Sequence, residues 1–470
     1  MPAIVDELRA RLTDDLGRLA AQYEVPGASV AVLIGDDVVE ATCGVINTRT
    51  GETVTPDTLF MIQSITKVIT ATLVLQLVDD ELVGLDDLVS DHLPGFRTAD
   101  PEAGARITVR HLLTHTGGFE GDLLAATTSG DDALRRFVED LVRHAPQHSL
   151  PGERFSYCNA GFGVLGRLIE VQREMTYEQA VRQFVTEPLG VREVAFSADQ
   201  ALAFRTAIGH VRPEPGVAQR PSFNWAVMPP SNPAAGNQLA MSARGLLAIG
   251  RMHLTEGRAS DGGPVLSAAS ARRMRVQQVS HPAAYGSLSS HGLGWWLERG
   301  ELVEHRGGNV GVSSILRIAP RHGVAAVVLT NSEGGGALID DVLEPLFADL
   351  PGVAPPESIS PGNHARVSDP RPYLGRFESR VAQNTIEFDD AGRLWRVTTP
   401  QHELLEMFMR AGTTIGPQVE RRELRLLGGD CFVILDGNQA PAGQVEFLER
   451  DAEGRARYLY AGARVTPRID

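Results

Sequence analysis

Six prolines crowd the stretch between Leu350 and Pro372: Pro351, Pro355, Pro356, Pro361, Pro370 and Pro372. Proline fixes φ and removes a backbone donor, so neither a helix nor a sheet interior runs through such a stretch. The chain is therefore divided into residues 1–350 and 373–470, with a linker at 351–372. The two parts carry different patterns. In the first, an alternating segment, Ala28 to Gly44, breaks at Gly35-Asp36-Asp37 and reads as a hairpin. Helical runs follow from Gln63 to Val78 and on to Val276, and strand-like runs return at Leu293–Leu297, Ser314–Ala319 and Val324–Leu329. Strands first and last with helices between suit one mixed sheet with a helical insertion beside it. In the second part, short apolar runs such as Asn384–Phe388, Phe432–Leu435 and Ala456–Ala461 are separated by turn residues, the pattern of a small β-barrel or sandwich.

Composition excludes several classes of function. The formal charge is −15 with no basic run, against the phosphate neutralisation that nucleic-acid binding requires. Val68 to Val78 is too short to span a bilayer and holds Thr70, Thr72 and Gln76, so no membrane association is expected. Met1 to Glu24 reads as a charged amphipathic helix, without the basic and apolar regions of a signal peptide, and the expected location is the cytoplasm. Cys43, Cys158 and Cys431 are odd in number and far apart, which implies no disulfide framework.

Lys67 is the only lysine; the other 43 of the 44 basic residues are arginine. Arginine replaces lysine for charge and solubility, but not where an amine must lose its proton near neutral pH. Lys67 lies three residues after Ser64 in Ser64-Ile65-Thr66-Lys67, so both side chains share one face at the start of an apolar helix. A serine hydroxyl needs a base to become a nucleophile, and a lysine depressed by burial can be that base.

Two further segments join it. Tyr157-Cys158-Asn159 carries Y-x-N, and His305-Arg306-Gly307 carries H-x-G in front of an expected strand. Ser64-x-x-Lys67, Tyr157-x-Asn159 and His305-x-Gly307, in this order, resemble the three motifs of penicillin-binding proteins and class C-type serine β-lactamases. The framing stretches Pro56–Phe60 and Ile107–Gly118 resemble that family too. The resemblance implies a β-lactamase/transpeptidase-like catalytic domain, with an antiparallel sheet, flanking helices and a helical insertion. The C-terminal part is similar to the all-β lipocalin-like barrel appended to some D-aminopeptidases and penicillin-binding-protein-type thioesterases. It implies an acyl-enzyme on Ser64, acid and base work shared by Lys67 and Tyr157, and Asn159 holding Lys67 and the substrate amide. The oxyanion hole would use the backbone N–H groups of Ser64 and Gly308. His305 stands in place of the lysine of K-T-G that clamps a β-lactam carboxylate, as in many esterase and peptidase relatives whose last motif is likewise H-x-G, and Arg306 replaces a small residue.

Other patterns carry no chemistry. Gly161 to Gly166 spells G-x-G-x-x-G but follows no buried strand. His111 and His115 have helical spacing but lack the glutamate of H-E-x-x-H, no G-x-S-x-G elbow exists, and Cys158 reads as a packed thiol. No metal or cofactor is expected. Trp225 and Gly236, in the Pro-rich segment Val211–Gly236, are expected to line the substrate pocket beneath a lid that this segment forms. Arg464 first and Arg450 second, near strand ends, are expected to offer a guanidinium to the substrate at the catalytic mouth. The expected activity is that of a thioesterase that off-loads and macrocyclises a nonribosomal peptide. Its substrate would be a peptidyl thioester or ester, presented by a carrier protein or as a small mimic. The alternative is a cytoplasmic esterase or D-stereospecific peptidase; a β-lactamase or D,D-carboxypeptidase is disfavoured by the missing export signal.

Overall fold

The computed structural model describes residues 2–212, 217–223, 225, 231–282, 288–299, 301–348, 350–354, 367–410 and 418–470. The first hairpin forms as its alternation predicts: β1 (Gly27–Ile34) returns as β2 (Asp37–Gly44). β1 is buried along nearly its whole length, so both its edges and both its faces are covered. Its second edge is taken from the far side of the helical region. There β3 (Val279–Ser280), β4 (Leu288–His291), β5 (Trp296–Glu298), β6 (Leu302–Asn309), β7 (Val312–Ala319) and β8 (Val324–Thr330) form in succession. The eight strands make one antiparallel sheet in the order β2-β1-β8-β7-β6-β5-β4-β3.

Period-two alternation then builds two cores. Val30, Val32, Ile315 and Val328 pack with Leu12 and Leu16 of α1 (Pro2–Gln22) and with a C-terminal helix, Gly335–Phe347. Ala31, Leu33, Leu316 and Val327 face the helical region. At its centre lies α2 (Thr66–Asp79), apolar on every side and buried from Thr66 to Leu77, as such a helix must be. It packs on α3 (Asn159–Arg173). Two glycines of the G-x-G-x-x-G pattern let other segments approach α3 closely. A Cβ on Gly163 would lie 2.9 Å from Asn232 Oδ1, and one on Gly166 would lie 2.5 Å from Ala234 Cβ.

Two strand expectations change. The run Leu293–Leu297 is mostly a turn around Gly294 (φ +79°), and the strand is Trp296–Glu298. The H-x-G segment does not precede a strand but lies inside β6. Its Glu304 and Arg306 are charges within a strand. In the sheet Glu304 is opposite Arg317 of β7 and pairs with it at 2.6 Å, so charge is neutralised inside the strand.

In the C-terminal part β9 (Gly375–Glu378), β10 (Ala382–Phe388), β11 (Leu394–Pro400), β12 (Glu420–Gly428), β13 (Cys431–Leu435), β14 (Pro441–Arg450), β15 (Ala456–Ala461) and β16 (Arg464–Pro467) form an antiparallel meander. A bridge between Phe377 and Arg468, with Ile469 N–H donating to Arg376 O at 2.9 Å, brings the first and last strands together. The result is a near-closed eight-stranded barrel, as expected for a lipocalin-like domain. Phe377, Leu394, Phe432 and Phe447 fill its interior at one end. Between β11 and β12 lies a helix that the sequence reading does not anticipate, α4 (His402–Arg410). Its apolar residues recur at Leu404, Met407 and Phe408 and pack on Leu124, Val211 and Val310 of the catalytic part. Of the linker expected at 351–372, residues 355–366 lie outside the described residues.

Candidate active site

Ser64 sits in a single 3-10 turn, Gln63–Ile65, that leads into α2. The residue before it, Gln63, adopts φ +51°, a strained conformation for a non-glycine residue. Two glycines allow neighbouring chains to close around this turn. A Cβ on Gly236 (φ +108°) would lie 2.0 Å from Gln63 O, and one on Gly307 would lie 2.3 Å from Ile62 O. Both expected glycines therefore stand beside the nucleophile because any side chain would push the backbones apart.

Lys67 is fully buried. Its Nζ lies 3.1 Å from Ser64 Oγ and donates to Ala235 O at 2.8 Å. Burial, then the nearby charge of Arg464, holds the amine well below the usual lysine range, opposed by Asp122 and Cys158. An amine in that state keeps an N–H on Ala235 and can turn its lone pair to the hydroxyl. The lysine also lies 4.9 Å from the centroid of the Tyr157 ring. That ring is packed against His115 at 4.3 Å and Trp296 at 5.9 Å. His115 accepts the Cys158 N–H at 3.0 Å through Nδ1, so its role is to support the Tyr157 segment.

Strand alternation assigns the third motif. His305 and Gly307 face the helical region and Ser64, while Glu304 and Arg306 point to the opposite face. There Arg306 pairs with Glu304 at 3.0 Å and with Asp340 at 2.7 Å, which accounts for an arginine at a position expected to be small. His305 Nδ1–H donates to Arg306 O at 2.8 Å. Burial, reinforced by Lys67, pushes its pKa down to about 3, so the ring is neutral. β5 pairs with β6 only as far as Glu304, so among the described residues no strand covers the edge at Gly307 and Gly308, which is turned toward Ser64.

Asn159 does not contact Lys67 by a hydrogen bond; its Nδ2 donates to Asp122 Oδ1 at 2.7 Å. Asp122 is a site residue that the sequence reading does not single out. Burial opposes its charge, but Arg464 and Asn159 overcome that and hold the carboxyl below its usual range. Arg464 reaches it from the barrel at 2.8 Å and lies 4.9 Å from the Tyr157 ring centroid. The backbones join as well: Tyr157 N–H donates to Ala463 O at 2.8 Å and Val465 N–H to Ser156 Oγ at 3.1 Å. Of the two arginines expected at the mouth, the structure brings only Arg464 there. Arg450 pairs with Asp430, donates to Pro372 O at the end of the linker and stacks on Tyr373, away from the catalytic mouth.

A cavity of about 230 Å³ opens above Ser64, lined by Asn159, Gly236 and Gly308 below and by Val381, Leu404, Met407 and Arg464 of the C-terminal part above. Trp225 is not on its wall. Its side chain packs by Leu59, Ala195 and Ala240, an apolar cluster that attracts a large ring more strongly than a polar pocket does. The expected lid segment Val211–Gly236 lies in part outside the described residues. Within them, α4 of the barrel contributes the roof. Cys158 Sγ accepts the Gly161 N–H at 3.2 Å, and burial pushes its thiol pKa up to about 12, which leaves it inert. Among the described residues no group of His, Cys, Asp or Glu is arranged to hold a metal ion, and no helix is long and apolar enough to cross a membrane.

Comparison with known proteins agrees with this geometry. Residues 5–346 match the β-lactamase family. Penicillin-binding protein 4 of Amycolatopsis lactamdurans is 38% identical over 364 residues, which are 77% of this chain and 95% of that protein. Among solved structures, SurE superposes with a TM-score of 0.78 at 26% identity, covering 99% of this chain and 100% of that one; SurE has also been solved with D-Leu. The octameric penicillin-binding protein homologue from Pyrococcus abyssi has the same fold over 95% of this chain and 96% of its own, with a TM-score of 0.63 at 21% identity. A chain whose only lysine is buried against a serine in this fold belongs to the β-lactamase family of serine hydrolases, together with the penicillin-binding protein homologues.

Proposed function

We propose that Ser64 takes the acyl group of a peptidyl thioester and that the peptide's own amine releases it as a macrocycle. The observation that carries this reading is the roof of the cavity. Leu404, Met407 and Val381 of the C-terminal part cover Ser64 with apolar surface. Excluding water over an acyl-enzyme favours a tethered amine over hydrolysis. SurE has been solved with D-Leu, which supports a D-configured residue at the acylating end.

In this mechanism Lys67 accepts the Ser64 proton as the hydroxyl attacks the thioester carbonyl. The oxyanion is met by the N–H groups of Ser64 and Gly308. The proton passes from Lys67, with Tyr157, to the departing thiol. The amine then attacks the ester carbonyl, gives up a proton to the same pair, and Ser64 is restored. Asn159 and Asp122 orient the substrate amide, and neutral His305 supports Tyr157 without offering a charge to a carboxylate. The donor would be presented by a carrier protein in the cytoplasm.

The test offers linear peptidyl thioesters with L or D C-terminal residues and weighs cyclic against hydrolysed product. Cyclic product from the D series is expected. Hydrolysis alone, with either configuration, replaces this reading by that of a simple esterase or peptidase.

A further inference from the structure

A second cavity, of about 650 Å³, lies beside the first. The two share Asp122, Val381 and Arg464, so the Arg464–Asp122 pair is the partition between them. One wall belongs to the catalytic part: Glu120, Asp122, Ser156 and Tyr157. The other is the open end of the barrel, where Asn384, Arg396, Gln444 and Thr466 replace the aromatic filling of the closed end.

Arg396 is the unusual member. In register it stands opposite Ile386, which is buried, and so it points into the barrel interior. Its Nε donates to Asn384 Oδ1 at 2.8 Å, the one hydrogen bond it makes among the described residues. Among the described residues no carboxylate forms an ion pair with it, and Glu420 acts on it only at longer range. Elsewhere in the barrel Arg393, Arg421, Arg422, Arg425, Arg450 and Arg455 form ion pairs near the surface, and the buried Arg468 has Asp470 as its partner. Enclosing a guanidinium without an anionic partner is costly, and burial accordingly holds Arg396 below the usual arginine range. A planar fork with unused N–H groups facing a cavity is the geometry that takes a carboxylate bidentately.

We propose that the barrel chamber holds the body of the peptide substrate and that Arg396 binds an acidic side chain of that peptide. The cavity over Ser64, at about 230 Å³, is about a third of the size of its neighbour and leaves the rest of a peptide to be housed elsewhere. A singly charged carboxylate suits the chamber better than a phosphate, because Glu120 and Asp122 line its opposite wall. The inference rests on the peptidyl reading of the Ser64 site, and the experiment separates the two.

Linear peptidyl thioesters are prepared in which a single glutamate is moved residue by residue, each with a glutamine counterpart. The readout is the ratio of kcat/KM for the Glu peptide to that for the Gln peptide in the same protein, which loss of folded enzyme does not move. At one position the ratio is expected to exceed about tenfold in the parent protein and to fall to near one in Arg396→Gln. A ratio near one at every position, or a preference that survives Arg396→Gln, overturns the proposal. A second arm does not depend on turnover: Ser64→Ala is titrated calorimetrically with the free linear peptides. Tighter binding of one Glu peptide that disappears in Ser64→Ala/Arg396→Gln upholds the chamber site even if no thioester is consumed. Equal binding of every Glu and Gln pair overturns it even if cyclisation occurs.

Discussion

Arg464 and Asp122 should tune the base from opposite sides, and the sign of each effect is decided by geometry. Lys67 Nζ and the Arg464 guanidinium each lie 4.9 Å from the Tyr157 ring centroid, so they are separated by no more than twice that distance. At an effective dielectric of about 20, two like charges at that separation repel by about 1.7 kcal/mol. Arg464 has 37% of its side chain exposed, so solvent screening reduces this to about 1 kcal/mol, or roughly 0.7 pH unit. Arg464→Ala removes the repulsion and leaves the Asp122 carboxylate without its cationic partner beside the lysine, and both changes raise the Lys67 pKa. Asp122→Asn keeps an oxygen for Asn159 but removes the negative charge, which lowers it. Catalysis needs the neutral amine, so activity rises with pH through the Lys67 pKa. The acid limb of kcat/KM should therefore move up in Arg464→Ala and down in Asp122→Asn, by at least about 0.7 pH unit for the former. The assay is hydrolysis of a small p-nitrophenyl ester across pH, which needs no peptide contacts. On the acid side Arg464→Ala should be about fivefold slower than the parent at equal pH. Limbs that coincide, or that move in the same direction in both variants, would refute the assignment of Lys67 as base and of this pair as its electrostatic control.

Three further outcomes are expected. Lys67→Arg keeps a charge but cannot supply a neutral amine; turnover should fall by at least ~10²-fold, and near-normal activity would remove the argument from the lone lysine. A fluorophosphonate should add mass at Ser64, an adduct abolished in Ser64→Ala and retained in Cys158→Ala, with intact-protein mass spectrometry as the check. Gly236→Ala places a Cβ 2.0 Å from Gln63 O, which forces the nucleophile turn to move; esterase activity should drop at least ~10-fold while far-UV circular dichroism stays folded, because displacement at a reacting centre costs far more in rate than in structure.

What the sequence determined by itself is local. Ser64 and Lys67 share a helix face because three residues make nearly one turn. The lone lysine singles out that pair in a chain that otherwise uses arginine, and alternation reveals the hairpin and most barrel strands. The motifs around Tyr157 and His305 are legible through their resemblance to a family. The strand carrying His305 is less so, because its charges are neutralised by Arg317 on the next strand, which alternation within β6 alone does not disclose. Only the tertiary structure decided the rest of the site. Asp122 and Arg464 are 342 positions apart, and no spacing rule connects them. Arg464 and Arg450 look equivalent as strand-end arginines, yet the way the barrel docks turns one to Tyr157 and the other to Asp430. Trp225 and Gly236 are close in sequence, yet packing sends the ring to an apolar cluster while the glycine touches the nucleophile turn. α4 is short and amphipathic, and its apolar face acquires meaning only from the cavity beneath it. Periodicity records which way a side chain points within its own element; which surface it then meets depends on how separately folded parts bury their apolar faces against one another.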